Sequence, residues 1–189
     1  MNVVNKANKR NFKIFTFSNS LVAFAFGLFG PFYYIFINEI GGSVESFGIA
    51  VGLVVLSTAL VSLIAGKYSD RFGRKPFLII GGYTSAVVVF LYTVISSIWQ
   101  LYLLQIFSGL IIALFETSEL SFLGDISTEE ERGSEMGTYC ALVGVAEAFA
   151  IFIGGFLADR FGFEIIFYMV AIIFIISATI MFKLKENRK

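Results

Sequence analysis

The chain has 189 residues, of which 57% are apolar and 15% charged, and its mean hydropathy is +0.83. An average soluble domain is about 25% charged, so these charges are too few to coat a water-facing globule, and the composition is that of a membrane protein. Fourteen basic and fourteen acidic residues cancel, leaving no global field for nucleic acid, while the lack of histidine and the single cysteine exclude a disulfide framework, a zinc cluster and a Ser-His-Asp triad.

A membrane-crossing helix needs roughly 20 mostly apolar residues, and six stretches meet or approach that length. Residues 1–13 form a basic N-terminus with Lys6, Lys9, Arg10 and Lys13. Span 1 runs from about Ile14 to Ile37, too long for the core of a cleavable signal and without a small-residue cleavage site, so it is read as retained. Pro31 follows Gly30 and removes one backbone donor, which predicts a kink in its outer half. Span 2 covers about Ser46–Gly66, span 3 Pro76–Ile98, span 4 Trp99–Leu123, span 5 Thr138–Ala158 and span 6 Ile165–Phe182. Residues 183–189 form a basic tail. The runs are too long for strands of a membrane barrel, so the fold class is an all-α, integral membrane six-helix bundle.

The basic residues orient it. Lys67, Arg71, Arg74 and Lys75 lie in the loop after span 2, Arg132 after span 4, and Lys183, Lys185, Arg188 and Lys189 at the end. With the N-terminal four, thirteen of the fourteen share one side, which the positive-inside rule makes cytoplasmic. Acids count little in this rule, so Glu129, Glu130 and Glu131 do not disturb it. Both termini are expected inside, in a multi-pass protein of the cell membrane. Arg160 alone falls outside. Trp99 and Tyr102, at the outer start of span 4, fit an interfacial belt.

The loop after span 2 reads Gly66-Lys-Tyr-Ser-Asp70-Arg71-Phe-Gly73-Arg74-Lys75. Gly66 should let the end of span 2 approach a neighbour closely. Asp70 sits at a helix C-terminus, where its charge is unfavourable unless paired, and Arg71 and Arg74 are the available partners. The spacing G-x-x-x-D-R-x-G-R-K resembles the signature loop of the major facilitator superfamily, with Gly66, Asp70, Arg71, Gly73, Arg74 and Lys75 at every defined position. The resemblance implies a charged network that holds one conformation of an alternating-access cycle. It also implies that Arg74 partners an aspartate at the inner end of span 4, where Asp125 stands, and Arg132-Gly133 looks like the family's loop after span 4.

A second copy, Gly155-x-x-x-Asp159-Arg160-Phe-Gly162, ends span 5. Span 2 exits inside and span 5 outside, so the copies have opposite topology, as in inverted three-plus-three repeats. The repeats would cover about 14–98 and 99–182. Gly144 and Gly154-Gly155 suggest close helix contacts and resemble only part of the family's antiporter motif. Cys140 reads as a small packing residue, and the 23 phenylalanines as mostly lipid-facing or core.

Three acids lie within spans, where they are costly unless they face an interior or water. Gln105, Ser108, Glu116 and Glu119 project within about 80° of arc on span 4, and Glu147 lies near the middle of span 5. Ser18, Asn19 and Ser20 add polarity near the inner end of span 1. Spans 3 and 6 carry no internal charge and can face lipid all round. Burial favours the protonated form of a carboxyl group, so Glu116, Glu119 and Glu147 are the candidates for carrying a proton or cation. Glu119 is expected to reach the inner interface, with Glu116 and Glu147 deeper.

The family fold has twelve spans, so this chain resembles its N-terminal six-helix half. That leaves a separate second-half chain, a homodimer, or a truncated remnant as alternatives, beside a non-transporting scaffold or regulatory subunit. The expected partners are the bilayer, a small-molecule or ion substrate and a second six-helix unit. No enzyme activity, cofactor, metal or nucleic acid is expected.

Overall fold

The computed structural model describes residues 3–127 and 131–185, with side chains from residue 7 onward. Glu129, Glu130, Arg188, Lys189 and the side chain of Lys6, used above for orientation, lie outside the described residues. Among the described residues there are helices and turns but no strand. The helices are α1 (Val3–Phe29), α2 (Tyr33–Glu39), α3 (Val44–Phe72), α4 (Arg74–Tyr92), α5 (Ile98–Ile126) and α6 (Arg132–Met181).

Each boundary has a local cause. A 3-10 turn over Gly30–Phe32, with Pro31 in it, separates α1 from α2, so the expected kink is a break between two helices of span 1. The Ser43 side chain accepts from the Ser46 amide at 3.3 Å and starts α3. Ser97 caps α5 in the same way through the Gln100 amide, while the Gln100 side chain accepts from Ser96 at 2.9 Å. This start ends span 3 early, at Tyr92 rather than Ile98. The basic N-terminus is continuous with α1.

Five helical stretches are long and apolar enough to cross a membrane. One of them, α6, has 50 residues, about 75 Å of helix, more than twice the hydrocarbon thickness. It is broken at Gly162, whose φ of 76° and ψ of 175° are not helical. Residues 132–161 and 163–181 are therefore separate passes, giving six. Gly73, between α3 and α4, has nearly the same conformation (φ 91°, ψ 155°). Both angles lie in a region that only glycine enters without strain. The two Asp-Arg-Phe-Gly segments thus reverse the chain by the same backbone device.

Packing follows the same exchange. α1 packs mainly on α6 and α3 mainly on α5, while α4 touches both α5 and α6. Each main crossing is held close by glycine. A Cβ on Gly27 of α1 would meet the Glu147 carbonyl of α6 at 2.6 Å, and one on Gly109 of α5 would meet the Val54 carbonyl of α3 at 2.7 Å. Gly154 packs against the Leu28 backbone and Gly155 against the Phe32 ring, as expected; Gly144 and Gly66 have nothing within 4 Å. Gly66 has no neighbour because α3 meets α5 higher up, at Gly109, and α3 is largely exposed.

Spans 3 and 6 do not face lipid all round. Gly82 of α4 packs on Ala178 of α6, and Tyr83 bonds Thr179 at 2.9 Å, so each span buries one face against the other. Span 1 is pinned to span 6 by the buried pair Ser18 and Ser177, whose hydroxyls each donate to the other's backbone carbonyl at 2.8 and 3.1 Å. Phe36 and Tyr92 pack on Phe167 with centroids 5.0 and 5.3 Å away, closing the α2 end of the bundle.

The reversal at Gly162 yields a stability test. Gly162→Ala should cost about 1–3 kcal/mol and lower the melting temperature in detergent by several degrees. Gly144→Ala, in open space, should leave it unchanged; equal melting of the two variants would contradict the backbone argument.

Candidate functional site

The first cluster lies at the end of the bundle carrying the signature loop. The turn at Gly73 brings Arg74 back over the last turn of α3, where its guanidinium pairs with Asp70 at 3.3 Å. The same side chain pairs with Asp125 and donates to the Ser121 carbonyl, both on α5. One arginine thereby ties spans 2, 3 and 4 together, and offsets Asp70 against the negative end of α3. Arg71 is not Asp70's partner; its guanidinium lies 5.5 Å from the centroid of the Phe72 ring. Lys75 turns the other way and donates to the Phe182 and Leu184 carbonyls at 2.8 and 2.7 Å, beyond the end of α6. Those carbonyls have no intrahelical donor, so the loop's lysine caps span 6.

The second copy keeps the turn and lacks the network. Gly162 is followed by Phe163 and Glu164 instead of arginine and lysine. Arg160 stacks over the Phe156 ring at 4.8 Å, and among the described residues no ion pair involves Asp159 or Arg160.

The second cluster lines two adjoining cavities inside the bundle. The one nearer α2, about 200 Å³, is bordered by Tyr33, Tyr92 and Gln105 among apolar side chains. The Tyr92 hydroxyl donates to Gln105 Oε1 at 2.7 Å, and Gln105 Nε2 donates to the Tyr33 hydroxyl at 2.6 Å. Ser108 faces this cavity but donates to its own Leu104 carbonyl at 2.8 Å. The other cavity, about 350 Å³, is bordered by Asn19, Glu116, Glu119 and Glu147. Phe26, Ser85, Ile112 and Phe174 border both cavities, so an aromatic cavity and an acidic one lie side by side.

The three acids are not equivalent. Glu119 accepts from the Tyr139 hydroxyl and from Asn19 Nδ2, the latter at 3.2 Å, and Asn19 Nδ2 also lies 2.9 Å from the Tyr139 oxygen. Asn19 and Tyr139 are buried. Glu119 is thus the most enclosed of the three, at a junction of spans 1, 4 and 5. Glu116 and Glu147 are exposed on the surface of the bundle. Tyr139 was not singled out from the sequence. Its only signal is its place two turns before Glu147 on the same helix, as the one tyrosine of span 5.

Residues 15–189 match the profile of the Major Facilitator Superfamily. The chain belongs to this family. It is 36% identical to the MFS-type transporter YitZ of Bacillus subtilis over 160 residues, 85% of this chain and 98% of that protein. It is 30% identical to the multi-drug resistance efflux pump PmrA of Streptococcus pneumoniae over 90% of this chain and 43% of the pump. The multidrug resistance protein MdtG of Proteus mirabilis is also 30% identical, over 97% of this chain and 47% of its own length. The chain therefore spans about half the length of these two multidrug relatives and nearly the whole of YitZ. Family membership and the apolar helices make it an integral, multi-pass membrane protein of a transporter family, with no enzymatic role.

The Arg74–Asp125 pair is accessible to a double-mutant cycle. Asp125→Asn and Arg74→Gln should each destabilise the detergent-solubilised protein, with a coupling of about 1 kcal/mol for this partly exposed pair. Strict additivity would show that the contact carries no energy.

Proposed function

We propose that this chain is one half of a secondary active transporter that works by alternating access, and that a second copy of the same chain supplies the other half. The observation that carries this reading is the exposure of Glu116 and Glu147. Both lie well inside spans, and Glu147 stands midway along residues 132–161. A carboxylate facing hydrocarbon there costs about 3 kcal/mol or more, so the face bearing these acids is covered by protein or by water that protein encloses. A second six-span unit on that face turns the open cavities into a closed solute route. A two-fold axis along the membrane normal satisfies the geometry.

Within this reading both termini and the signature loop face the cytoplasm, and the membrane is the cell membrane. Glu116, Glu119 and Glu147 take up the coupling proton or a cation. Gln105 and Ser108 line the apolar end of the route with Tyr33 and Tyr92. An aromatic chamber beside an acidic one fits an apolar organic cation, in keeping with the multidrug relatives. Asp70, Arg74 and Asp125 hold the cytoplasmic ends of spans 2, 3 and 4 closed in one state of the cycle, Lys75 adds the end of span 6, and Gly73 shapes the turn, while among the described residues Arg71 and Gly66 have no part in the ion network. Gly155, Asp159, Arg160 and Gly162 form the corresponding outer turn, with no network of its own.

The test uses reconstituted vesicles with an imposed proton gradient and ethidium as the probe cation. Glu116→Gln and Glu147→Gln should each lower gradient-driven movement at least tenfold while leaving the melting temperature within a few degrees. Unchanged transport in both variants would remove these acids from the pathway.

A further inference from the structure

The carbonyl groups that follow α6 are satisfied by side chains from two other spans. Lys75 of α4 reaches the Phe182 and Leu184 carbonyls at 2.8 and 2.7 Å. Arg10 of α1 donates to the Lys183 carbonyl at 3.3 Å. Asn11 bonds residue 185 in both directions, donating to its carbonyl at 2.7 Å and accepting from its amide at 3.0 Å. These contacts close the end of the bundle and have an electrostatic consequence. They gather the cations Arg10, Lys75, Lys183 and Lys185 at one corner, with Arg10, Lys183 and Lys185 exposed.

Among the described residues no ion pair joins Arg10, Lys183 or Lys185 to a carboxylate. The nearby Asp70 and Asp125 are engaged by Arg74, and Glu131 pairs with Lys9 at 3.7 Å. Below the corner runs the seam between α4 and residues 163–181 of α6. Its head is made by Tyr83, Thr179 and Phe182, with the Tyr83 and Phe182 rings 6.4 Å apart. The flanking faces are apolar and uncovered, with Ile80 and Val87 on α4 at 58% and 60% exposure and Ile172 on α6 at 56%.

We infer that this corner binds an anionic phospholipid, the phosphate seated among Arg10, Lys183 and Lys185 and the acyl chains lying along the α4–α6 seam. A cluster of like charges at headgroup level is relieved by an anion, and each basic residue near such a surface contributes about a fivefold preference for anionic lipid. The seam supplies the apolar surface that a free phosphate would not use. A zwitterionic lipid offers the same chains but brings its own cation to a corner already crowded with them.

The experiment delipidates the purified full chain in detergent and adds phosphatidylglycerol or phosphatidylcholine. It reads bound lipid by native mass spectrometry and stability by thermal melting. The wild type should retain phosphatidylglycerol in preference and melt higher with it. The triple variant R10Q/K183Q/K185Q should lose that preference by about fivefold per cation. The charge-keeping R10K/K183R/K185R and K67Q, which alters none of the three cations, should preserve it. Equal retention of the two lipids by the wild type, or an undiminished preference in the triple variant, would overturn the site. Equal stabilisation by glycerol phosphate would overturn the lipid in favour of a free phosphate. The readout is binding, not transport, so its failure would leave the transport reading untouched.

Discussion

Hydrocarbon offers no hydrogen bond, and that constraint sorts almost every polar group in this chain. The backbone is satisfied within helices. Several buried and half-buried hydroxyls turn back on their own helix, as Ser57, Thr58, Ser62, Ser108 and Thr117 do to carbonyls four residues earlier. Asn19 Nδ2, the Tyr139 hydroxyl and the Glu119 carboxylate bond one another across three spans. Gln105 is held between two tyrosines. Arg10, Arg74 and Lys75 gather at one end of the bundle, where they pair with acids or cap carbonyls. After this sorting, Glu116 and Glu147 are the mid-span charges left on the open surface, and the functional reading starts from them.

The bundle also shows how one sequence device serves two ends of a membrane. At Gly73 and Gly162 the chain reverses through the same glycine-only conformation after the same three residues, Asp-Arg-Phe. The crossings exchange partners accordingly, span 1 on span 5 and span 4 on span 2, each through a glycine that lets backbones touch. What differs is the charge after the turn. Arg74 and Lys75 turn the first reversal into a hub that reaches α5 and the end of α6, whereas Phe163 joins the aromatic core and Glu164 bonds only Tyr168. The two turns share geometry, and one alone carries an ion network.

Much of this was legible in the sequence, for physical reasons. Long apolar runs separated by charged turns mark the spans, Pro31 marks the break in the first, and the repeated Asp-Arg-Phe-Gly marks both reversals. The Arg74–Asp125 contact followed from resemblance to the family loop and not from spacing. The early end of α4 was readable in the Ser97-x-x-Gln100 capping pattern, but the apolar run of span 3 outweighed it. Other features were hidden because they join residues more than a hundred positions apart: Lys75 with Leu184, Asn11 with Lys185, Tyr139 with Asn19. Helical periodicity placed Glu116 and Glu119 on one stripe. It could not tell that one is enclosed by a tyrosine and an asparagine while the other stays open, since that depends on which helices cover the stripe.

The central claim is that the face bearing Glu116 and Glu147 is covered by a second copy of this chain. The most direct measurement is thiol cross-linking in native membranes, with the exposed native Cys140 replaced by serine. Cysteines are introduced at Leu60 of α3 and Phe152 of α6, both exposed on helices that border the cavities, and at Val87 and Ile172 of the seam as the comparison. The account predicts an adduct of twice the chain mass from the Leu60/Phe152 pair and none from the Val87/Ile172 pair. Only monomers from the first pair, or equal dimer yields from both, would contradict it.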